Sequence, residues 1–164
     1  ISAAILHEAG HIVCMRLCRV PIRRIGFVGF GILIENNARP PIGKEICIYL
    51  SGPAVNLTAA VIFYFVYIFC DAPSVLSFAF ANGLYFFLNV LPIPPLDGYH
   101  VLDDFLCLRY SFEVSRRIGK GISVLFLISI ICFTVAVARQ GRVNYSLLLV
   151  TAALVVNETV YIFS

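Results

Sequence analysis

Charge is what this sequence has little of. Only 13% of its 164 residues are Asp, Glu, Lys or Arg, whereas 60% are hydrophobic, and the mean hydropathy is +0.94. Soluble domains carry about 25% charged and about 45–50% apolar residues. The apolar residues also come in long runs rather than at amphipathic spacing, which excludes an ordinary soluble domain and indicates a polytopic membrane protein.

Other common signals are absent as well. No charged region precedes an apolar stretch at the amino terminus, so a signal peptide is not recognisable. The six cysteines form no CxxC pair, which makes a disulfide framework unexpected and favours small apolar packing residues. The net charge is only +3 and the basic residues flank apolar runs, so nucleic acid is not an expected partner.

Uncharged runs of membrane length make up about half of the chain. Each is close to the ~20 residues that cross a hydrocarbon core, and they cover residues 49–70, 72–96, 121–138 and 143–157. Together with the apolar segment 1–18, they predict about five transmembrane helices, and a further helix is expected before Ile1. The predicted fold class is an all-α polytopic membrane bundle that forms a single domain over 1–164.

A small β-hairpin is predicted between the first two helices. Residues 22–28 and 32–35 are apolar and rich in β-branched side chains on either side of Gly29-Phe30-Gly31. We therefore expect a membrane-associated hairpin over 20–36. It either offers an exposed edge to an extended substrate segment or only caps the bundle.

The basic residues predict an orientation. Along the chain, the loops and helix ends between apolar segments hold six, none, four and two Lys or Arg residues. The positive-inside rule then predicts that the segments 16–44 and 100–120 are cytoplasmic and that Asp71 lies on the opposite side.

The sequence His7-Glu8-Ala9-Gly10-His11 carries the chemistry. Side chains four apart share a helix face, so His7 and His11 can bind one metal ion while Glu8 acts as a general base. The chain has only 3 His, which makes a coincidental match uncommon.

A metal held by two histidines needs at least a third ligand. Asp97 is the best candidate, because three prolines leave an irregular backbone before it, and such backbone is tolerated at membrane depth only in protein or around a wet cavity. The residues alone leave other ligands open, namely His100, Cys14 or Cys18, and Glu158. For Glu158, a carboxylate that reaches the cytoplasmic interface is the favoured interpretation, and Asp104 is read as a solvated acid.

The two motifs together resemble the site-2 proteases, the intramembrane zinc metalloproteases. His7-Glu8-Ala9-Gly10-His11 resembles the family's HExxH, and the segment from Asn89 to Gly98 resembles its Asn-x-x-Pro-x-x-Pro-Leu-Asp-Gly pattern. The layout is most similar to the subgroup that processes pro-sigma-K in sporulation. No regulatory CBS or PDZ domain is recognised within 1–164.

The resemblance implies a zinc-dependent intramembrane endopeptidase in a bacterial cytoplasmic membrane, with its active site open to the cytoplasm. Zn²⁺ would be held by His7, His11 and Asp97, Glu8 would be the catalytic base, and Asn89 would lie near the substrate or the oxyanion. Expected partners are a membrane protein substrate, the lipid bilayer and membrane regulators. The alternatives are a catalytically silent membrane scaffold that binds a client helix with structural zinc, and a transporter with a His and Asp relay.

Overall fold

Six helices and one pair of strands are found in the computed structural model. It describes residues 2–20, 24–28, 31–35, 40–139 and 145–163, and only the backbone of the two strands and of 162–163. The helices are α1 Ser2–Leu17, α2 Ile42–Cys70, α3 Pro73–Val90, α4 Asp97–Cys107, α5 Phe112–Arg139 and α6 Tyr145–Phe163. The antiparallel strands are β1 Arg24–Val28 and β2 Gly31–Glu35.

The predicted fold class needs correction. In place of about five membrane-crossing helices, only α2, α3 and α5 are long and apolar enough to cross a membrane among the described residues. The 16 residues of α1 reach about 24 Å, which is short of a ~30 Å hydrocarbon core, and α6 is a shorter apolar helix. A membrane-associated hairpin over 20–36 is not supported either, because nothing in its described backbone associates the two five-residue strands with a membrane.

The three long helices are poorly covered by protein. Only 11–17% of their most apolar 18-residue windows is buried within the protein. Large side chains such as Phe69 and Phe80 are exposed by 85% and 73%. Apolar faces of this extent require an apolar environment, which a lipid bilayer provides.

The chain divides into two compact units, Ile1–Val90 and Leu91–Ser164. In the first, α1 packs on α2 and α2 on α3. The contact between α1 and α2 is close, because a Cβ on Gly10 would lie 2.8 Å from the backbone oxygen of Ser51. In the second unit, Ile93, Leu127 and Leu154 form the centre of an apolar cluster.

Candidate metal centre

Two buried imidazoles face one another on α1. His7 and His11 are exposed by only 3% and 7%, and their Nε2 atoms lie 3.0 Å apart. The helical spacing of four residues places them on the face that packs against α2. His7 also makes an edge contact with the ring of Tyr85 on α3, with the ring centroids 5.2 Å apart.

The other nitrogen of each ring is occupied by an oxygen acceptor. Nδ1 of His11 lies 2.8 Å from the backbone oxygen of Ile48, and Nδ1 of His7 lies 2.9 Å from Oδ1 of Asn56. A carbonyl oxygen can only accept, so both Nδ1 atoms carry the hydrogen in the neutral rings. The Nε2 lone pairs of both rings are therefore directed toward the same small volume.

This donor set fits a zinc ion. Two lone pairs that face each other repel, and a shared cation removes that repulsion. Zinc binds imidazole nitrogen at about 2.0–2.1 Å in a tetrahedral arrangement, which separates two nitrogen ligands by about 3.3 Å. The Nε2 separation of 3.0 Å is close to that value before any adjustment.

Gly52 leaves room for the pair. A Cβ at this position would lie 2.6 Å from Cε1 of His11 and 2.8 Å from Cε1 of His7. Both distances are below those that real side chains show, so the first turns of α2 can pass the imidazoles only without a side chain here. Gly52 thus forms one wall of the candidate metal centre.

Glu8 and Asn89 have defined places in the first unit. Glu8 is half-buried on α1, directly after His7. Asn89 is half-buried in the last turn of α3, and its Nδ2 donates to the backbone oxygen of Tyr85, 2.9 Å away. Since Tyr85 contacts His7, Asn89 lies one helical turn beyond a residue of the candidate centre.

Asp97 and His100 both lie on α4, in the second unit. Asp97 is the first residue of this helix and is half-buried. His100 is half-buried, and its ring lies edge-on to Tyr99. Burial and the hydrogen bond that Tyr99 donates to Tyr161 raise the pKa of Tyr99 above its ordinary value.

The remaining ligand candidates have other environments. Cys14 and Cys18 lie 4.0 Å apart, sulfur to sulfur, and pack against the apolar cluster of Met15, Val20 and Ile48. This agrees with their interpretation as packing residues.

The two acidic interpretations in the carboxy-terminal part were wrong. Glu158 is only 1% exposed and accepts a hydrogen bond from Ser123, so it does not reach an interface. Asp104 is 2% exposed and is not a solvated acid.

Comparison with known proteins finds similarity to a peptidase family and to two curated relatives. Residues 1–77 match the model of peptidase family M50. A zinc metalloprotease of Methanocaldococcus jannaschii is 24% identical over 135 residues, which cover 77% of this chain and 40% of that protein. Stage IV sporulation protein FB of Bacillus subtilis is 26% identical over 140 residues, which cover 81% of this chain and 48% of that protein. The chain thus spans less than half the length of these relatives.

A solved structure has the same fold. The site-2 protease from Methanocaldococcus jannaschii superimposes with a TM-score of 0.73 at 22% identity, over 96% of this chain and 73% of that chain. The predicted resemblance to the site-2 protease family is confirmed. The matching family is one of peptidases and the archaeal relative is named a zinc metalloprotease, while the three apolar helices of this chain indicate an integral membrane protein.

The site-2 protease motifs did not lead to every residue of the centre. Asn56 is fully buried and lies at hydrogen-bond distance from His7. Its other neighbour, the fully buried Asn82, is hydrogen-bonded to Asn56. The signal was present in the sequence, because an amide at membrane depth in an uncharged run needs a partner. That partner lies 49 residues away from Asn56, and no local pattern could identify it.

Proposed function

We propose that this chain holds the catalytic core of a zinc-dependent intramembrane endopeptidase that cleaves a membrane-embedded or membrane-tethered protein. The observation that carries the proposal is the buried His7 and His11 pair, with Nε2 atoms 3.0 Å apart and a half-buried Glu8 between them in sequence. A general base beside a two-histidine pair is typical of metalloproteases and has no use in a structural zinc site.

In this proposal His7, His11 and Asp97 hold Zn²⁺. Catalytic zinc sites use three protein ligands and keep a fourth position open, whereas structural sites are closed by four. Asp97 is preferred as the third ligand because it occupies the Asp of the pattern that begins at Asn89. When bound, zinc supplies Lewis-acid catalysis toward the attacking water and the peptide carbonyl.

Glu8 handles the proton. Its carboxylate takes a proton from the attacking water, whose oxygen forms a bond to the carbonyl carbon of the peptide. The carbon–nitrogen bond then breaks, and Glu8 returns the proton to the leaving amine nitrogen, so that acid and amine products form. Asn89 is proposed to lie near the substrate or the developing oxyanion.

The substrate must be locally unwound before cleavage. Backbone groups in a transmembrane helix are paired with each other and do not reach an attacking water. We therefore expect substrates with helix-breaking residues near the cut site. The name of the Bacillus subtilis relative favours a role in sporulation. We further propose that the role is regulated intramembrane proteolysis, with membrane regulators as partners. The basic residues favour a cytoplasmic opening of the site in a bacterial cytoplasmic membrane.

The decisive experiment replaces the base alone. Glu8→Gln keeps the size of the side chain and leaves His7 and His11 in place, so we expect about one zinc per chain to remain bound. Cleavage of a co-expressed membrane substrate should fall about 10²–10⁴-fold, the usual cost of losing a general base. Zinc is measured by elemental analysis of the detergent-purified protein and cleavage by gel analysis.

The same measurement separates the enzyme from a silent scaffold. A parent protein that binds zinc and a client helix but cleaves nothing would favour the scaffold. A Glu8→Gln variant that cleaves as fast as the parent would refute the role of Glu8 and the mechanism with it.

A further inference from the structure

Asn56 is a fully buried amide that joins three helices. Its Oδ1 lies 2.9 Å from Nδ1 of His7 on α1. Its Nδ2 donates to the backbone oxygen of Ala3 on α1 and to Oδ1 of Asn82 on α3, each at 2.9 Å. Three hydrogen bonds therefore fix one side chain of α2 in a single orientation.

The direction of these bonds is determined by their partners. The oxygen of Ala3 can only accept, so the amide nitrogen of Asn56 must be on that side. Asn82 uses its own nitrogen to donate to the backbone oxygen of Phe78, which turns its oxygen toward Asn56. The only atom of Asn56 that can face His7 is therefore its oxygen, and Nδ1 of His7 must donate.

The two histidines differ in what orients them. His11 donates to the backbone oxygen of Ile48, which no substitution removes. His7 donates instead to a side-chain oxygen, the Oδ1 of Asn56, which a substitution can remove. Partners of this kind fix the tautomer and the ring orientation of metal-binding histidines.

We propose that Asn56 is a positioning residue that holds the His7 ring with its Nε2 lone pair toward the metal and thereby sets the zinc affinity of the site. This inference rests on the proposed function. It adds a residue outside both motifs and assigns the effect to one atom, the Oδ1 of Asn56.

A purely structural role uses different atoms of the same side chain. If Asn56 only joins α1 to α3, the Nδ2 donors to Ala3 and Asn82 carry its effect. Asn56→Asp keeps an acceptor oxygen next to His7 but removes those donors, whereas Asn56→Leu removes both. The two variants therefore separate positioning of His7 from joining of the helices.

The test measures zinc affinity of the full chain in detergent by competition with a chromogenic chelator. For Asn56→Leu we expect affinity to fall about 10–100-fold, as for other losses of such partners, with a changed absorption spectrum of the Co²⁺-loaded protein. For Asn56→Asp we expect affinity within about threefold of the parent. Asn82→Leu is the matched control, because it removes a buried amide that does not touch His7, and it should also remain within about threefold.

Each outcome decides the inference. Parental affinity in Asn56→Leu would overturn it, and so would an equal loss in Asn56→Leu and Asn56→Asp. Thermal unfolding of the metal-free variants checks that each one folds. If Asn56→Leu does not fold, Asn56→Asp alone decides. A zinc affinity more than about tenfold below that of the parent in a folded Asn56→Asp overturns the inference. A parent protein that binds no zinc would overturn the proposed function and the inference together. A parent that binds zinc, with variants that behave otherwise than expected, would overturn only the inference about Asn56.

Discussion

At the scale of single residues, the candidate centre depends on Gly52 having no side chain. The two imidazoles are each held at Nδ1, by Asn56 and by the backbone of Ile48, so they cannot swing away from α2. The backbone of α2 passes them at Gly52, where a Cβ would meet both rings. The observed positions of the His7 and His11 rings therefore require a glycine at position 52.

We predict that Gly52→Ala lowers zinc affinity at least about tenfold, because the new methyl group displaces ring atoms that would lie within 2.8 Å of it. Gly43→Ala is the matched control on the same helix, since a Cβ there meets nothing within 4 Å. This control should bind zinc as the parent does. Chelator competition on both purified variants makes the comparison, and equal affinities would show that the rings adjust without cost.

The third ligand is tested by two substitutions on α4. If Asp97 binds zinc, Asp97→Ala should lose zinc and proteolysis together, because two histidines alone leave the metal with too few protein ligands. His100→Ala should keep about one zinc per chain. Elemental analysis of both proteins decides, and the reverse pattern would identify His100 as the ligand.

At the scale of helices, α5 and α6 are joined by polar side chains in an otherwise apolar contact. Ser123 donates to Oε2 of Glu158 at 2.7 Å, and both side chains are almost fully buried. Thr134 and Thr151 form a second bond of 3.0 Å between the same helices. Such hydrogen bonds contribute about 0.5–2 kcal/mol each to helix association in membranes.

We predict that Ser123→Ala destabilises the protein by about 1–3 kcal/mol, because it leaves the buried Glu158 carboxyl without its donor. Combining it with Glu158→Leu removes both polar groups, and the free energy of unfolding should return toward that of the parent. Unfolding in mixed detergent micelles, followed by circular dichroism, measures both. A double variant no more stable than Ser123→Ala would contradict this account.

Helix ends could be predicted from sequence, whereas contacts between helices could not. The prolines after Val90 end α3 because proline lacks the backbone donor, and the apolar segment 1–18 closely matches α1, Ser2–Leu17. The number of spans was overestimated because the apolar segments that form α1 and α6 make helices shorter than a membrane span requires. The burial of Glu158 and the bond from Asn56 to His7 depend on which helix faces pack together, and a single sequence contains no direct record of that.

At the scale of the whole molecule, the uneven distribution of the basic residues predicts how the chain is oriented in a membrane. α2 has 29 residues and a length of about 43 Å, so both of its ends extend beyond a ~30 Å hydrocarbon core. Lys44 lies in its first turn, and Asp71 follows its last residue. The two positions must therefore lie on opposite sides of a membrane that α2 crosses.

The sign of that orientation is testable. Because six basic residues lie between 16 and 44 and none lies near Asp71, the positive-inside rule predicts that Lys44 is cytoplasmic and Asp71 is exported. Alkaline phosphatase fused after Asp71 should be active, and the same enzyme fused after Lys44 or Arg116 should be inactive. Fluorescent-protein fusions at the same positions are the control, since they should give the opposite pattern. Active phosphatase at Lys44 would reverse the orientation of α2, and with it the side from which water reaches His7 and His11.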